Sequence, residues 1–133
     1  MSAVLARARA LLGTPFRLQG RSLERGIDCV GLVILAAGIG KPPRPDYRRR
    51  GDHFAALLER GSPWFRRVAL RRARPGDVVI LEGGIRSWHL AVLDEGGIIH
   101  ADAGVGRVVF RPGPLPPTVR AVLRLRRRTK RTN

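Results

Sequence analysis

The sequence is short of cysteine, of aromatic residues and of long apolar runs. Cys29 is the only cysteine among 133 residues, so no disulfide can form within the chain, and the redox compartment is left open. No apolar run approaches the roughly 20 residues of a membrane-spanning helix, so none is expected. Arg7 and Arg9 interrupt the apolar N-terminal stretch, and we expect no secretory signal peptide.

Acidic residues and lysine are scarce as well. Ten acidic residues stand against 26 basic ones, which gives a formal net charge of +16, and only Lys41 and Lys130 are lysines. Such a balance predicts attraction to polyanions such as nucleic acid, lipid headgroups or an anionic cell envelope. The arginine excess is equally well explained by a GC-rich genome. We predict one domain over 1–126 and a basic, disordered tail over 127–133.

Helical periodicity gives way to strand periodicity along the chain. Apolar residues first recur at helical spacing, and Gly13, Gly38 and Gly61 are placed to end the helices. From residue 74 onward, short apolar runs alternate with turns, which predicts hairpin-linked strands. This order indicates an α+β domain with an antiparallel sheet. Helices are predicted in 4–12, 30–37 and 53–60, and strands in 78–81, 88–93, 98–102, 108–110 and 119–125, with 21–26 as a polar loop and 62–74 ambiguous.

Cys29 lies where a polar turn gives way to the apolar run of the second predicted helix. Asp28 is placed to cap that helix, so the cysteine falls in its first turn, near unpaired backbone N–H groups. Such a position stabilises a thiolate and can lower a thiol pKa from about 8.5 to roughly 3.5–7.5. A neighbouring carboxylate at Asp28 acts in the opposite direction. A lone cysteine can equally be a small buried apolar residue.

Two histidines fall on adjacent predicted strands separated by one tight turn. His89 and His100 can therefore reach one face of the sheet, whereas Leu90 and Val92 should face the opposite way from His89. A cysteine at a helix start, a histidine on a strand and a partner on the next strand form a nucleophile, base and orienting group. The same three residues could instead be core or surface residues, or a zinc site.

Four segments, at 28–32, 75–78, 88–93 and 99–101, together resemble the NlpC-type papain-like cysteine peptidases, which are bacterial and phage cell-wall endopeptidases. The resemblance covers the chain from about Val4 to Leu125, and the segment 14–20 makes it most similar to the compact peptidases encoded among tail genes of phages and gene transfer agents. It implies a papain-like α+β fold, with N-terminal helices and the cysteine helix packed on a five- or six-stranded antiparallel sheet. The segments are Asp28-Cys29-Val30-Gly31-Leu32, Pro75-Gly76-Asp77-Val78, Trp88-His89-Leu90-Ala91-Val92-Leu93 and Ile99-His100-Ala101.

The resemblance also implies residue roles. Cys29 would be the nucleophile, His89 the general base and acid, and His100 the residue that orients His89. Asp28 would lie on the substrate side, where it could hold the free amine of a peptidoglycan stem peptide. Asp102, near His100, could support that histidine or be a plain turn residue, and the turn residue is favoured. No metal or cofactor is implied.

Two positions depart from the family pattern. Phe16 stands where the family usually has tyrosine, so a hydroxyl near the oxyanion is missing, and Gln19 on the same loop is a possible substitute donor. Val30 stands where the family usually has serine, which contributes to substrate contacts. The usual stem-peptide specificity is therefore in question, while the reaction type is not.

The sequence thus predicts a cysteine endopeptidase that hydrolyses amide bonds in peptidoglycan stem peptides. Without an export signal, it would be made in the bacterial cytoplasm and would act at the cell wall as part of a phage-like particle, in contact with tail or baseplate proteins and anionic envelope surfaces. Two alternatives stay open: a structural tail-tip protein with little activity, and a basic nucleic-acid-binding module. The aromatic content of 5% argues against the latter.

Overall fold

The computed structural model describes residues 2–40, 53–83 and 88–127. Its helices are α1 (Ala3–Ala10), α2 (Cys29–Ala37) and α3 (His53–Gly61), with a 3-10 turn at Leu70–Arg72. Its strands are β1 (Arg21–Ser22), β2 (Gly26–Ile27), β3 (Phe65–Val68), β4 (Val78–Glu82), β5 (Trp88–Asp94), β6 (Gly97–Asp102), β7 (Arg107–Pro112) and β8 (Val119–Leu125). Within the described residues, no helix is long and apolar enough to cross a membrane.

The helix α2 is the centre of the molecule. The Asp28 side chain caps its start by accepting a hydrogen bond from the Gly31 N–H at 3.0 Å. Its end is set by Gly38, which adopts the left-handed conformation (φ 71°) that a residue with a Cβ enters only at a cost. Most residues between these caps are buried. The helix was predicted with these two caps, and the structure has both.

The sheet has six strands in the order β3-β8-β4-β5-β6-β7. Every pairing is antiparallel, as predicted. The consecutive strands β4 to β7 follow one another as a meander, but the last strand of the chain inserts between β3 and β4. The strands β4 and β8 therefore lie in the interior of the sheet, where each can bury both of its faces.

The two faces of the sheet are covered differently. Towards α1 and α2, the core contains strand residues such as Leu90, Val92 and Ile99. On the opposite face, Ala91 packs in a smaller cluster that the 3-10 turn region and the β7–β8 loop help to cover. Successive residues of β5 thus alternate between the two faces, as the sequence predicted.

Two buried carboxylates join the sheet to its neighbours. Asp77, before β4, accepts two hydrogen bonds from Arg124 of β8 at 2.8 and 2.9 Å. Asp94, at the end of β5, accepts a hydrogen bond from Arg9 of α1 at 2.6 Å. Because each carboxylate is paired with a guanidinium, neither buries an uncompensated charge.

The α+β architecture with the cysteine helix packed on an antiparallel sheet is confirmed. One expectation was wrong: the polar loop at 21–26 contains the two short strands β1 and β2, which pair with each other. The ambiguous segment 62–74 forms β3 and the 3-10 turn. The part of the predicted tail beyond Arg127 lies outside the described residues.

Candidate active site

Cys29 is the first residue of α2, and its sulfur lies against β5. The residue is partly exposed and forms no disulfide. Its side chain packs in the helix-side core that includes Leu90. Three backbone N–H groups, those of Leu90, Val30 and Cys29 itself, interact with the sulfur in a way that favours the thiolate. The thiol therefore meets both the start of its own helix and the strand that carries His89.

The gap that receives the sulfur is a break in the sheet. Strands β5 and β6 pair only from Val92↔Ile99 to Asp94↔Gly97, although β5 begins at Trp88 and β6 continues to Asp102. The Leu93 N–H donates to Asp77 on the β4 side, so by alternation the Leu90 N–H points towards β6. There the Cys29 sulfur, rather than a β6 carbonyl, interacts with it.

The two histidines, on neighbouring strands β5 and β6, contact each other. His89 Nε2 and His100 Nδ1 are 2.9 Å apart, within hydrogen-bond distance. Their rings lie edge to face, with centroids 5.1 Å apart and an interplanar angle of 87°. A single proton lies between the two nitrogens, so a neutral His89 that carries its proton on Nε2 leaves Nδ1 free as a base.

The thiol does not have the lowered pKa that the helix start suggested. Burial raises the pKa of Cys29 to about 11, and the charge of Asp28 contributes in the same direction, outweighing the three backbone N–H groups. That expectation was wrong because the sulfur loses more hydration at the β5–β6 gap than the N–H groups replace.

The pKa of the His89 imidazole is shifted in the opposite direction. Burial lowers the pKa of His89 to about 4, the neighbouring His100 adds to the lowering, and the charge of Asp102 partly offsets it. Burial also lowers the pKa of His100. At neutral pH the resting site therefore holds a neutral thiol and neutral imidazoles rather than a preformed ion pair.

Asp102 has two roles in the geometry. Its Oδ1 accepts hydrogen bonds from the Gly104 and Val105 N–H groups at 2.8 and 3.1 Å, which makes it a turn residue. Its Oδ2 lies 4.0 Å from His100 Nε2. The sequence left both roles open and favoured the first, because the approach to His100 depends on how β6 leaves the sheet.

Asp28 is buried beneath the loop that precedes α2. Besides the Gly31 N–H, its carboxylate accepts a hydrogen bond from the Gln19 N–H at 2.7 Å and from Arg21 Nη1 at 2.9 Å. A substrate amine at this carboxylate would therefore compete with Arg21. Sequence reasoning did not single out Arg21, since a charged residue in a polar loop gives no signal of its own.

Gln19, Phe16 and Val30 are the residues that the departures from the family pattern concern. Gln19 is exposed and adopts a positive φ of 60°, which is uncommon for a residue other than glycine. Phe16 is half-buried against the core that joins α1 to the sheet, and Val30 packs in the same core as Cys29. Neither position offers a hydroxyl to the site.

The zinc site considered from the sequence has no set of ligands among the described residues. Among the residues that the structure describes, no group of three or more His, Cys, Asp or Glu side chains is arranged to hold a metal ion. His89 and His100 direct a nitrogen at each other, so these two nitrogens are not available to a shared ion.

Among known proteins, only solved structures are found to be similar to this chain. No protein-family model matches the sequence, and no curated protein matches it. The P60 domain of an antigen from M. avium subspecies paratuberculosis is similar, with 22% identity, coverage of 92% of this chain and 90% of that chain, and a TM-score of 0.64.

Two proteins of Mycobacterium tuberculosis are similar as well. The peptidoglycan hydrolase RipB shares 26% identity over 92% of this chain and 62% of its own, with a TM-score of 0.58. RipD, a non-catalytic NlpC/p60 domain protein adapted to peptidoglycan binding, shares 20% identity over 93% of this chain and 94% of its own, with a TM-score of 0.60.

This chain has the NlpC/P60 fold. Known structures with that fold include both a hydrolase of peptidoglycan and a non-catalytic protein. The fold therefore fits the predicted architecture without deciding whether Cys29 acts as a nucleophile.

Proposed function

We propose that the protein is a cysteine endopeptidase that hydrolyses amide bonds in the stem peptides of peptidoglycan. The observation that carries the proposal is the arrangement at the β5–β6 gap. The Cys29 sulfur meets the Leu90 N–H, one residue from His89, and His89 is hydrogen-bonded to His100 at 2.9 Å. In this proposal α2 supplies the nucleophile, Cys29, while β5 and β6 supply the base, His89, and the orienting residue, His100. These are the three roles that nucleophilic catalysis requires.

The charge state of the resting site favours one order of events. Because the thiol and the imidazole are both neutral at rest, His89 takes the thiol proton as the sulfur attacks the substrate carbonyl. The Cys29 N–H, at the open start of α2, stabilises the oxygen that becomes negative. The amine then leaves with the proton from His89, and water hydrolyses the thioester to restore the thiol.

His100 and Asp102 support this proton transfer. With the proton of the His89–His100 bond on His89 Nε2, the free Nδ1 of His89 is the basic nitrogen. Asp102, 4.0 Å from His100 Nε2, favours a proton on that nitrogen and so keeps His100 Nδ1 as the acceptor. In this scheme His100 and Asp102 are positioning residues.

The substrate class follows from the fold and from the sequence resemblance. RipB is a peptidoglycan hydrolase with this fold, and the segments around Cys29, His89 and His100 resemble the NlpC-type peptidases. The role as a component of a phage or gene transfer agent tail depends on the sequence resemblance alone. Val30 and Phe16, which replace the usual serine and tyrosine, are the positions where we expect altered stem-peptide specificity.

A second function has an observation in its favour. The thiol pKa of about 11 is high for a nucleophile at neutral pH, and RipD is a non-catalytic protein with the same fold. A peptidoglycan-binding or structural tail-tip protein would keep the fold without hydrolysis.

The two functions are separated by digestion of purified sacculi. The endopeptidase releases soluble stem-peptide fragments, Cys29→Ala abolishes their release, and Leu70→Ala, an exposed residue on the distant 3-10 turn, leaves it unchanged. A protein that binds sacculi and releases no fragments in any of the three forms is the non-catalytic alternative, and this result would refute the endopeptidase.

A further inference from the structure

One edge of the molecule carries a row of exposed arginines. We define the arginine edge as seven exposed residues on β3, the 3-10 turn, the coil after it and the end of β8. The strand β3 is itself an outer strand of the sheet. The members are Arg66, Arg67, Arg71, Arg72, Arg74, Arg126 and Arg127.

The row is continuous in space because β8 connects its parts. Arg66 pairs with Arg124 across the β3–β8 ladder. Arg124 in turn donates to the Arg72 carbonyl at 2.9 Å. Arg126 donates to the Ser62 carbonyl, just before β3, at 2.8 Å. Arg66 and Arg67 project from opposite faces of β3, so residues from three separate stretches of sequence line the same edge of the sheet.

The acidic groups near this surface are already paired elsewhere. Asp77 is buried against Arg124, and Glu82 pairs with Arg120 at 2.9 Å. Over residues 2–40, 53–83 and 88–127, no ion pair includes a member of the arginine edge. Only the exposed Glu59 on α3 lies on the neighbouring elements without such a pair. The edge thus has a concentrated and nearly uncompensated positive charge.

Protection of an open sheet edge does not account for so many charges. One or two charged side chains on an outer strand suffice to discourage pairing with another chain. Here only Arg66 and Arg67 lie on β3, whereas the other five lie on coil and turn segments that have no free strand edge. Mutual repulsion among them costs folding stability unless an anion compensates it.

The chemistry of the edge favours phosphate groups without bases. Guanidinium groups bind phosphate oxygens through paired N–H donors. The nearby rings of Phe54 and Trp88 stack on each other at 4.8 Å, and Arg67 covers Phe54 at 5.7 Å, so they offer no open platform for bases. The edge is made of strand, turn and coil, so it presents no helix to a duplex groove.

We propose that the arginine edge binds a flexible phosphodiester polymer of the bacterial envelope. The polymer's successive phosphates follow the row from β3 to the 3-10 turn. Binding at this surface is independent of Cys29 and of peptide hydrolysis, so it stands or falls separately from the proposed endopeptidase.

The test measures binding to fluorescent poly(glycerol phosphate) at several salt concentrations. The full chain is compared with Arg66→Gln/Arg67→Gln/Arg71→Gln/Arg72→Gln and with a control that removes the same charge elsewhere, Arg17→Gln/Arg25→Gln/Arg107→Gln/Arg111→Gln, all exposed. Each lost phosphate contact reduces the slope of log K against log salt by about 0.7. The edge variant is expected to lose about three units of slope and at least about 100-fold in affinity at 0.1 M salt, and the control to lose about threefold or less.

Two results would overturn the proposal. Equal weakening of both quadruple variants would mean that net charge, not this surface, attracts the polymer. Tighter binding of duplex DNA than of poly(glycerol phosphate), at equal phosphate and salt, would mean that the partner is a nucleic acid. Circular dichroism verifies that each variant folds. If the quadruple edge variant does not fold, Arg71→Gln/Arg72→Gln, both on the exposed 3-10 turn, replaces it and is expected to give about half the loss of slope.

Discussion

At the scale of single residues, the buried histidine pair links the site to the stability of the protein. His89 has a folded pKa of about 4, below the ordinary histidine pKa of 6.5. Between these values the unfolded chain binds a proton that the folded chain does not, so acid favours unfolding. The contribution of His89 to stability is present above pH 6.5 and is lost as the pH falls towards 4.

We therefore expect the free energy of unfolding to fall by about 2 kcal/mol between pH 7 and pH 5 because of His89. The lowered pKa of His100 acts in the same direction. Urea unfolding at the two pH values measures the change, and His89→Gln should remove most of it. A wild-type protein that is equally stable at both pH values, or more stable at pH 5, would show that His89 is not buried as a neutral group.

A second residue-scale prediction concerns Arg21. Its Nη1 lies 2.9 Å from Asp28 Oδ1, and the two side chains are 20% and 5% exposed. Loss of the guanidinium leaves a buried carboxylate without its counter-charge beside Cys29, where the Asp28 charge already raises the thiol pKa. Arg21→Gln is expected to lower the free energy of unfolding by about 1–3 kcal/mol, since the pair is partly solvated.

The same substitution should slow the alkylation of Cys29 by iodoacetamide at pH 8, because the thiol pKa rises further. Arg25→Gln, an exposed arginine in the same β1–β2 region, serves as the matched control. If Arg21→Gln and Arg25→Gln alter stability and alkylation equally, the ion pair has no special role at the site.

At the scale of elements, the sequence predicted those parts of the fold that local chemistry determines. Asp28 and Gly38 predict the two ends of α2 because capping depends on a few neighbouring residues. The meander from β4 to β7 was predictable because short turns force antiparallel neighbours. The insertion of β8 between β3 and β4 was not, since it depends on contacts between residues far apart in sequence.

The site was predictable to the same extent. His89 and His100 could be paired because a tight turn and strand alternation place them on neighbouring strands, and Cys29 could be placed at the start of α2 because Asp28 caps that helix. The neutral resting state could not be predicted, because it follows from the lost β5–β6 pairing and the burial that results. The contacts of Arg21 and Asp102 likewise depend on loop conformations that no sequence pattern specifies.

The cap of α2 gives a prediction at this scale. Gly38 has a φ of 71°, which a residue with a Cβ adopts at a cost of about 1 kcal/mol. Gly38→Ala should lower the free energy of unfolding by that amount, whereas Gly40→Ala, where an added Cβ meets nothing within 4 Å, should change it little. Thermal unfolding of both variants measures the difference, and equal stabilities would contradict the assigned C-cap.

At the scale of the whole molecule, the candidate site lies at α2, β5 and β6, whereas the arginine edge lies at the outer strand β3 and its neighbours. The net charge of +16 is a property of the sequence, but its concentration at the β3–β8 edge becomes visible only when the strands are assembled. The fold thus combines a buried, neutral candidate site with an exposed cationic surface. A polymer held at the edge would keep the protein on the envelope while the site engages a peptide.

The most direct test of the account is the detection of a covalent intermediate on Cys29. The protein is mixed with a synthetic stem peptide, quenched in acid and measured as an intact mass. We predict a transient acyl adduct on Cys29, followed by release of the cleaved peptide, with formation at least about 100-fold slower in His89→Asn. Peptide cleavage that continues in Cys29→Ala, or a wild-type protein that forms no adduct and cleaves no stem peptide, would contradict it.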